Sequence, residues 1–232
     1  MKVAIVIPAR LNSTRLKHKM LLKFNGRSLI RTVFEKCIAM GFDTYVATDS
    51  SRIASKIPVA NIIKTAECKD GTERISKAIN GKLSKYDAII NVQGDMIDID
   101  LQTLKPLLNY CKAGKIGDWD VITAYTEGYK PNDVKVIHNY GKALWFTRSN
   151  IGYGDRHIGL YAYQAHVLTS LNQYLLTDKY EVENLEQNKL LGYYEVRVVK
   201  TKYNGIEINT QEDINSWSLL NRKRGDGFKV SN

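Results

Sequence analysis

The sequence predicts a three-layer α/β/α fold built on a mainly parallel sheet. Buried-strand patterns alternate with amphipathic helix patterns through the first half, and helices that connect parallel strands cover both faces of a sheet. The 232 residues suit one domain with a core of useful size. The hydrophobic fraction, 44%, is ordinary for a globular protein.

The first half alternates regularly between strands and helices. Apolar runs predict strands at residues 3–7, 44–48, 61–65 and 87–95. Amphipathic patterns predict helices at residues 28–40, about 50–57, 71–83 and 101–111. Ser28 suits the N-cap of the first helix, and Gly41 suits the position just past its end. Because ligands bind at the carboxyl ends of parallel strands, the loops that follow these strands are the candidate site.

The second half is less regular. Strands are predicted at residues 120–127, 133–139, 142–149, 157–164 and 194–200. Helices are predicted at residues 164–175, 181–191 and 211–221. The chain has no internal repeat, low-complexity segment or clear linker, so we expect one domain over residues 1–232 with an elaborated second half.

Composition excludes several classes of protein. No stretch approaches the roughly 20 apolar residues that cross a bilayer. The opening "MKVAIVIPAR" is typical of a strand and lacks the long apolar region of a secretory signal. Cys37, Cys68 and Cys111 are odd in number and scattered, which argues against a disulfide framework and a cysteine-based zinc site. We therefore expect a reducing, cytoplasmic setting, with Cys37 in the core.

The net charge of +10 limits the choice of partners without settling it. Such a balance fits nucleic acid, anionic lipid, a phosphorylated substrate or simply a lysine-rich surface. The lysines are spread along the chain, and the cluster in the tail "NRKRGDGFKVSN" is predicted to be a solvated, partly frayed end. We expect neither nucleic-acid binding nor membrane insertion.

A cationic loop follows the first strand. In "IPARLNSTRLKHKM" the charged side chains are Arg10, Arg15, Lys17 and Lys19, with His18 when it is protonated. The loop lacks both common glycine-rich phosphate motifs, so binding would depend on arginine forks and lysine point charges. A triphosphate fits such a loop, although a charge run also fits a solvated face.

The stretch "NVQGD" ends the fourth strand with a carboxylate. Asp95 is the best candidate ligand for Mg²⁺, which takes one or two protein carboxylates together with phosphate oxygens. Asp98 and Asp100 are candidate helpers. A lone aspartate at the end of a strand is more often a turn or an N-cap, but a cationic loop at the same sheet edge favours the metal. Cations facing a carboxylate-held metal indicate phosphoryl or nucleotidyl transfer.

Two further segments carry candidate polar residues. The four histidines show no metal-binding spacing, but strand alternation places His157, Gly159 and Tyr161 on one face. His157 fits a substrate contact and a satisfied half-buried histidine equally well. Glu186 and Gln187 fall in a helical pattern, and periodicity alone predicts that both are surface residues.

The ordered motifs resemble those of one family. They are "IPARLNSTRLKHKML", "ATDSSRIA", "GTERISKAI", "NVQGD", "PNDVKV", "ALWFTR", "HIGLYAY" and "LEQ". Over about residues 2–220 the chain resembles the 3-deoxy-manno-octulosonate (Kdo) cytidylyltransferases, also called CMP-Kdo synthetases. The resemblance implies a three-layer α/β/α nucleotidyltransferase fold with a mainly parallel, mixed, Rossmann-like sheet.

The resemblance also implies a reaction. CTP and Kdo give CMP-Kdo and pyrophosphate, through attack of the anomeric hydroxyl on the α-phosphorus with Mg²⁺ as the cofactor. In bacteria the product feeds lipopolysaccharide synthesis. The family is typically a homodimer. By analogy, residues 1–112 are mainly the CTP-binding half, and residues 120–200 mainly bind the sugar acid and form the dimer.

Family roles carry over residue by residue. The resemblance implies catalytic roles for Arg10, Lys19 and Asp95. It implies CTP contacts from Ala9, Arg10, Arg15, Lys19, Gly71, Thr72, Arg74 and Gln93. It implies sugar contacts from Arg148, His157, Tyr161, Glu186 and Gln187. The metal ligands it implies are Asp95 and Asn209.

The chain also departs from the family pattern. Lys17 and His18 stand where the family has Pro and Gly, Met96 where it has Glu, and Asn209 where it has a metal-binding Asp. The connection at residues 149–156 is shorter than usual. These changes suggest two alternatives: a cytidylyltransferase for another sugar acid such as 8-amino-Kdo, or a descendant that binds CTP or a CMP-sugar with reduced activity.

Overall fold

A nine-stranded mixed sheet forms the centre of the fold. The structure is a computed structural model that describes residues 1–79, 81–114, 118–174, 183, 185–223 and 230–231. The strands of this sheet lie in the order β5-β4-β1-β6-β10-β7-β11-β9-β8. Their bounds are β1 Val3–Ala9, β4 Asp43–Thr48, β5 Ile62–Lys64, β6 Ala88–Asn91, β7 Val121–Thr126, β8 Lys135–Asn139, β9 Lys142–Thr147, β10 Asp155–Gln164 and β11 Val196–Lys200.

A small second sheet has the order β12-β2-β3, with antiparallel pairing. Its strands are β2 Lys23–Phe24, β3 Arg27–Ser28 and β12 Val230–Ser231. The prediction of a frayed tail is therefore wrong for Val230 and Ser231, because they pair with β2, a contact that no local pattern in the tail reveals. Residues 224–229 and 232 of that tail lie outside the described residues.

The helices alternate with the strands as predicted. Their bounds are α1 Leu29–Ala39, α2 Ser51–Ala54, α3 Gly71–Ala78, α4 Leu101–Ala113, α5 Ala165–Tyr174, α6 Glu186–Leu191 and α7 Gln211–Lys223. The predictions for α2 and α3 are too long at their C-terminal ends. For the helix predicted at 181–191, residues 181, 182 and 184 lie outside the described part. Among the described helices, none is long and apolar enough to cross a membrane.

Two apolar cores, one on each face of the sheet, give the three layers. Ile5 and Ile7 of β1 pack with α1, α4 and α7, whereas Ala4 and Val6 face α3 and α5. This alternation is what a strand buried on both faces requires. Strands β1, β4, β5 and β6 are parallel, and β10 pairs antiparallel with β6 and β7, so the predicted α/β/α architecture with a mixed sheet is confirmed.

Helix termini are defined by side-chain caps and one glycine. Asp70 Oδ1 accepts a hydrogen bond from Glu73 N at the start of α3 (2.8 Å), and Asp100 Oδ1 accepts one from Thr103 N at the start of α4 (2.8 Å). Gly41 follows α1 with φ +86°, which confirms its predicted position past the helix end. Ser28 precedes α1, but its hydroxyl makes no capping bond to any described residue.

The three cysteines are free and buried, and Cys37 lies in the core as predicted. The cytoplasmic location stays a prediction from the sequence.

The loop after β1 is fastened to the turn after β6. β1 and β6 are neighbours with Val6 opposite Asn91, so both chains leave the sheet at the same edge. Met20 is buried in the short helical turn Lys19–Leu21 and touches Gly94, where an added Cβ would lie 3.0 Å from its sulfur. A larger residue here would have to displace the end of the Met20 side chain, so the glycine lets the cationic loop approach the "QGD" turn closely.

Candidate active site

A cleft of about 1520 Å³ opens at this edge of the sheet. It is bordered by the loop after β1, the start of α3, the turn after β6, the near end of β10, α6 and the start of α7. The predicted site residues that line it are Ala9, Arg10, Arg15, Lys19, Gly71, Arg74, Gln93, Asp95, Arg148, His157, Tyr161, Glu186, Gln187 and Asn209. Thr72 is the exception: it is buried just below the surface, and its hydroxyl bonds to that of Tyr163.

In the cleft, the ammonium group of Lys19 lies between two side-chain oxygens. Lys19 Nζ donates to Asp95 Oδ2 at 2.6 Å and to Asn209 Oδ1 at 3.0 Å. Arg15 Nη2 donates to the same Asn209 oxygen at 2.9 Å. Four residues from three separate segments of the chain thus meet at one point, and Arg10, which also lines the cleft, adds further positive charge.

The oxygens at this point suit a magnesium ion. Asp95 Oδ1 is buried and has no hydrogen-bond partner among the described residues. Asp95 and Asn209 converge on the ammonium of Lys19, so both already face a cation. Mg²⁺ takes few protein oxygens and fills its shell with phosphate and water. The residues therefore fit the ion, although the described part of the chain holds no cluster of three or more acidic, histidine or cysteine ligands.

Asp98 and Asp100, the predicted helpers, have structural roles instead. Asp98 accepts hydrogen bonds from Trp217 Nε1 (2.9 Å) and Ile206 N (3.1 Å). Asp100 caps α4. Both carboxylates are committed to backbone and indole donors, so the expectation that they assist a metal is wrong.

Asn209 is positioned by the start of α7. Asp213 Oδ2 accepts hydrogen bonds from Asn209 N (2.9 Å) and Thr210 N (2.7 Å), while Asp213 N donates to Thr210 Oγ1 (3.3 Å). This reciprocal arrangement is a capping box. One step earlier, Ile208 N donates to Asp95 O (3.0 Å), which fixes the segment against the "QGD" turn.

Glu207 is a carboxylate that sequence reasoning missed. It lines the cleft beside Asp95 and Asn209, in a segment that belongs to no predicted element. Burial, and secondly the charge of Asp95, raise the pKa of Glu207 to about 7, while Arg156 and Lys19 oppose the rise. Its backbone pairs with that of Met96 in an isolated bridge, a long-range contact without a local sequence signal.

The start of α3 forms the opposite wall. Gly71 approaches Pro8 of β1, and an added Cβ there would lie 3.3 Å from the proline ring. Arg74 is almost fully buried, and its guanidinium donates to Thr65 Oγ1 (2.6 Å) and Asp49 Oδ2 (3.1 Å). Arg74 therefore fixes this wall through protein contacts at the margin of the cleft.

Gln93 lies between the two walls. Its Nε2 would be 3.8 Å from a Cβ at Gly71, and its Cγ would be 3.4 Å from a Cβ at Gly159. Larger side chains at either glycine would crowd the glutamine. Gln93 therefore lies between α3, which carries Gly71, and β10, which carries Gly159.

Glu186 and Asp70 form a carboxyl pair in the cleft. Glu186 Oε2 accepts a hydrogen bond from Thr72 N (3.4 Å). Burial first, and then the charge and hydrogen bond of Asp70, raise the pKa of Glu186 to about 8. The surface position predicted for Gln187 is wrong, because α6 packs beneath β9 and buries it: Asn188 bonds both the N–H (3.0 Å) and the carbonyl (2.9 Å) of Phe146. Glu186 is half-buried and lines the cleft.

His157 is buried as a neutral imidazole. Burial lowers its pKa to about 3. Thr123 Oγ1 donates its proton to Leu160 O (2.7 Å), so His157 Nε2, 2.9 Å from that hydroxyl oxygen, must be the donor to it. Nδ1 is then left as an acceptor. The ring lies 5.5 Å from that of Tyr161, which confirms that the two share a face.

Further cations line the side of the cleft formed by β10 and the connection before it. Arg148 and Arg156 flank the short connection at 149–154, which turns through Gly154 at φ +111° and brings both residues to the same cleft. Lys130 joins them. Sequence reasoning missed Lys130 and Arg156; the only signal was that Arg156 directly precedes His157.

The loop departures lie outside the cleft. Lys17 and His18 are absent from its lining. His18 adopts a left-handed conformation (φ +54°), as the glycine of the family pattern would, at a cost of roughly 1–2 kcal/mol. Met96 is fully buried in the core. The loop therefore keeps a glycine-like turn without glycine.

Glu186 should make the folded state less stable as the pH rises. Its folded pKa, about 8, exceeds the ordinary 4.5, so the folded state binds more protons between these values and stability falls as pH rises through them. We expect Glu186→Gln to gain stability relative to the unmodified chain between pH 5 and 8, measured by urea unfolding. Glu212→Gln is the control, because its pKa is lowered and it titrates below this window. A difference independent of pH would contradict the assignment.

Comparisons with known proteins agree with the motifs. A family model described as cytidylyltransferase matches residues 4–202. The 8-amino-3,8-dideoxy-manno-octulosonate cytidylyltransferase of Shewanella pealeana is 34% identical, over 92% of this chain and 96% of that protein. The 3-deoxy-manno-octulosonate cytidylyltransferase of Fusobacterium nucleatum is 32% identical, over 99% of this chain and 100% of that protein. 

A solved structure, that of CMP:2-keto-3-deoxy-manno-octonic acid synthetase complexed with CTP, is 28% identical with a TM-score of 0.86, covering 96% of this chain and 100% of that chain. The resemblance stated from the motifs is thus confirmed, together with the nucleotidyltransferase fold. This chain belongs to the cytidylyltransferase family, and it is an enzyme of the nucleotidyltransferase class.

Proposed function

We propose that this protein is a Mg²⁺-dependent cytidylyltransferase that joins CTP to a sugar acid of the Kdo type and releases pyrophosphate. The observation that carries the proposal is the convergence of Lys19, Asp95 and Asn209 at the centre of the cleft. Arg10 and Arg15 flank that point, which suits a bound triphosphate.

The chemistry is a displacement at the α-phosphorus. The anomeric oxygen of the sugar acid forms a bond to phosphorus as the bond to pyrophosphate breaks, and the proton of the hydroxyl passes to solvent. Arg10, Arg15 and Lys19 bind the triphosphate and stabilise the charge that builds on the leaving pyrophosphate. Bound at Asp95 and Asn209, Mg²⁺ would neutralise triphosphate charge.

The two walls suit the two substrates. The wall formed by Gly71 and Arg74, with Thr72 buried behind it, belongs to residues 1–112, for which we propose the cytidine. Residues 120–200 supply the other wall, where Arg148 offers a cation for the carboxylate of the sugar acid. On that wall, the unprotonated Nδ1 of His157 can accept a hydrogen bond. Gln93 borders both walls, so it suits the junction of ribose and sugar.

A pyrophosphate-release assay tests the proposal. We expect release from CTP and Mg²⁺ with Kdo or 8-amino-Kdo, and none without a sugar acid. Absence of release with every acid tested would overturn the enzyme proposal. Tight CTP binding under those conditions would instead favour a descendant that binds nucleotide without turnover.

Arg15 and Lys17 provide a matched test of the cationic loop. Arg15→Gln removes a charge that faces the cleft and should raise the KM for CTP about tenfold, the effect of one charge-assisted hydrogen bond. Lys17→Gln removes the same charge from the same loop outside the cleft, and should change the KM less than about twofold. Equal effects of the two variants would show that the loop acts only through its general field.

8-Amino-Kdo is a second candidate substrate, and the carboxyl pair of Asp70 and Glu186 favours it. An amino sugar carries an ammonium group at neutral pH. Two neighbouring carboxyls in a poorly solvated site resist full ionisation without a cation, and an ammonium would relieve that repulsion. A hydroxyl would leave it in place.

Asp70→Asn separates the two acids. We expect the ratio of kcat/KM for 8-amino-Kdo to that for Kdo to fall about tenfold, because the ammonium group of 8-amino-Kdo loses one charged partner. Glu73→Gln is the control, because this neighbouring carboxylate on α3 bonds Lys77 (2.6 Å) away from the cleft. A ratio unchanged by Asp70→Asn would contradict a role in selecting the amine.

We also propose a homodimer, built on the β8–β9 side. Exposed apolar side chains cluster in this part of the chain: Tyr140, Leu144, Trp145, Ile151 and Tyr153. These residues belong to β9 and to the connections before and after it, and exposed apolar side chains that lie together on a surface mark an interaction site. The family resemblance names a second copy of the chain as its occupant.

Leu144→Asp tests the dimer. Its side chain is 52% exposed on β9, so the substitution should leave the fold intact but place a charge in the interface and weaken association at least tenfold. Sedimentation velocity over a dilution series measures the change. Val59→Asp, at a more exposed apolar residue far along the chain, is the control. A monomeric unmodified protein would refute the proposal.

A further inference from the structure

The metal site of this chain is short of negative charge at one position. Asn209 offers a neutral amide oxygen, and that oxygen already accepts hydrogen bonds from Arg15 and Lys19. The side chain of Met96, beside Asp95 in the sequence, is fully buried in the core and offers no oxygen. Asp95 is then the one carboxylate among the implied ligands, whereas Mg²⁺ prefers carboxylates.

The segment before α7 brings another carboxylate to the same wall. Ile208 is fully buried in the core, while Glu207 and Asn209 on either side of it line the cleft. Alternate residues of an extended segment point to one side. The segment is held by the bond from Ile208 N to Asp95 O and by the bridge between Met96 and Glu207.

The groups around Glu207 leave its carboxylate without a strong partner. Arg156 Nη2 lies 4.0 Å from Glu207 Oε1, too far for a hydrogen bond, and Arg156 also approaches Asp133 at 3.8 Å. Asp95 and Lys19 also act on Glu207, and Asp133 acts on it more weakly. Asp95 repels it, and a divalent cation between the two carboxylates would turn that repulsion into shared attraction.

We propose that Glu207 is a metal ligand. It supplies the second carboxylate of the site, beside Asp95, that Asn209 cannot provide. The inference rests on the proposed Mg²⁺ dependence. Asp95 Oδ1, buried and without a partner among the described residues, lies on the same cleft wall. The chain would thus keep two carboxylates and one amide oxygen for the ion.

Mn²⁺ binding measures this role directly, because electron paramagnetic resonance counts free Mn²⁺ without any turnover. In the presence of CTP we expect Glu207→Gln to raise the Kd for Mn²⁺ at least tenfold. Asp133→Asn is the control: it removes the other carboxylate next to Arg156 and should leave the Kd within about twofold. Urea unfolding of each variant checks that the fold is retained.

A double variant distinguishes ligation from a structural role. Glu207→Gln combined with Asn209→Asp returns the carboxylate to position 209 and should restore the Mn²⁺ Kd to within about threefold. Unchanged Mn²⁺ binding in Glu207→Gln would overturn the proposal, and so would a loss that Asn209→Asp fails to restore. Loss of pyrophosphate release in every assay, with the Mn²⁺ results as expected, would overturn the proposed function and leave this inference standing.

Discussion

The ion pair between Lys19 and Asp95 is the contact on which the candidate site depends. It joins the loop after β1 to the turn after β6, two segments that are neighbours only because their strands pair in parallel. Met20 and Gly94 pack directly beside it, so the loop cannot leave the turn without opening the core. A partly buried pair loses much stability when one partner is removed. The same contact therefore holds the cations of the loop and the proposed metal ligand, Asp95, in place.

The charge pattern of the cleft is complementary to its proposed ligands, the triphosphate of CTP, the sugar acid and Mg²⁺. Arginine and lysine side chains surround the space for the triphosphate, and the carboxylates lie in two separate places. Glu186 pairs with Asp70 on one wall, and Glu207 lies near Asp95 on another. Repulsion within each pair disfavours full ionisation, and near Glu207 the charges of Lys19 and Arg156 offset it only in part. A cleft arranged this way binds a polyanion together with cations, rather than the polyanion alone.

Local patterns predicted the sheet and the loop, and long-range contacts account for the errors. Asp95 could be found because it ends a buried strand, where the topology itself selects candidates. The periodicity of α6 does not predict that Gln187 is buried, because its burial depends on the packing of α6 under β9. Glu207 belongs to no predicted element and reaches the cleft through a backbone bridge to Met96. Asp98 was over-interpreted because its partner, Trp217, lies 119 residues away.

The departures from the family pattern differ in what they touch. His18 accepts a left-handed backbone outside the cleft, so it costs stability but leaves the binding surface intact. Met96 packs in the core where the family pattern has a glutamate. Its backbone still pairs with that of Glu207. Asn209 alone changes a group that faces Lys19 at the centre of the site. Of the three substituted positions, Asn209 is therefore the one that changes the balance of charge inside the cleft, and it lies on the same wall as Glu207.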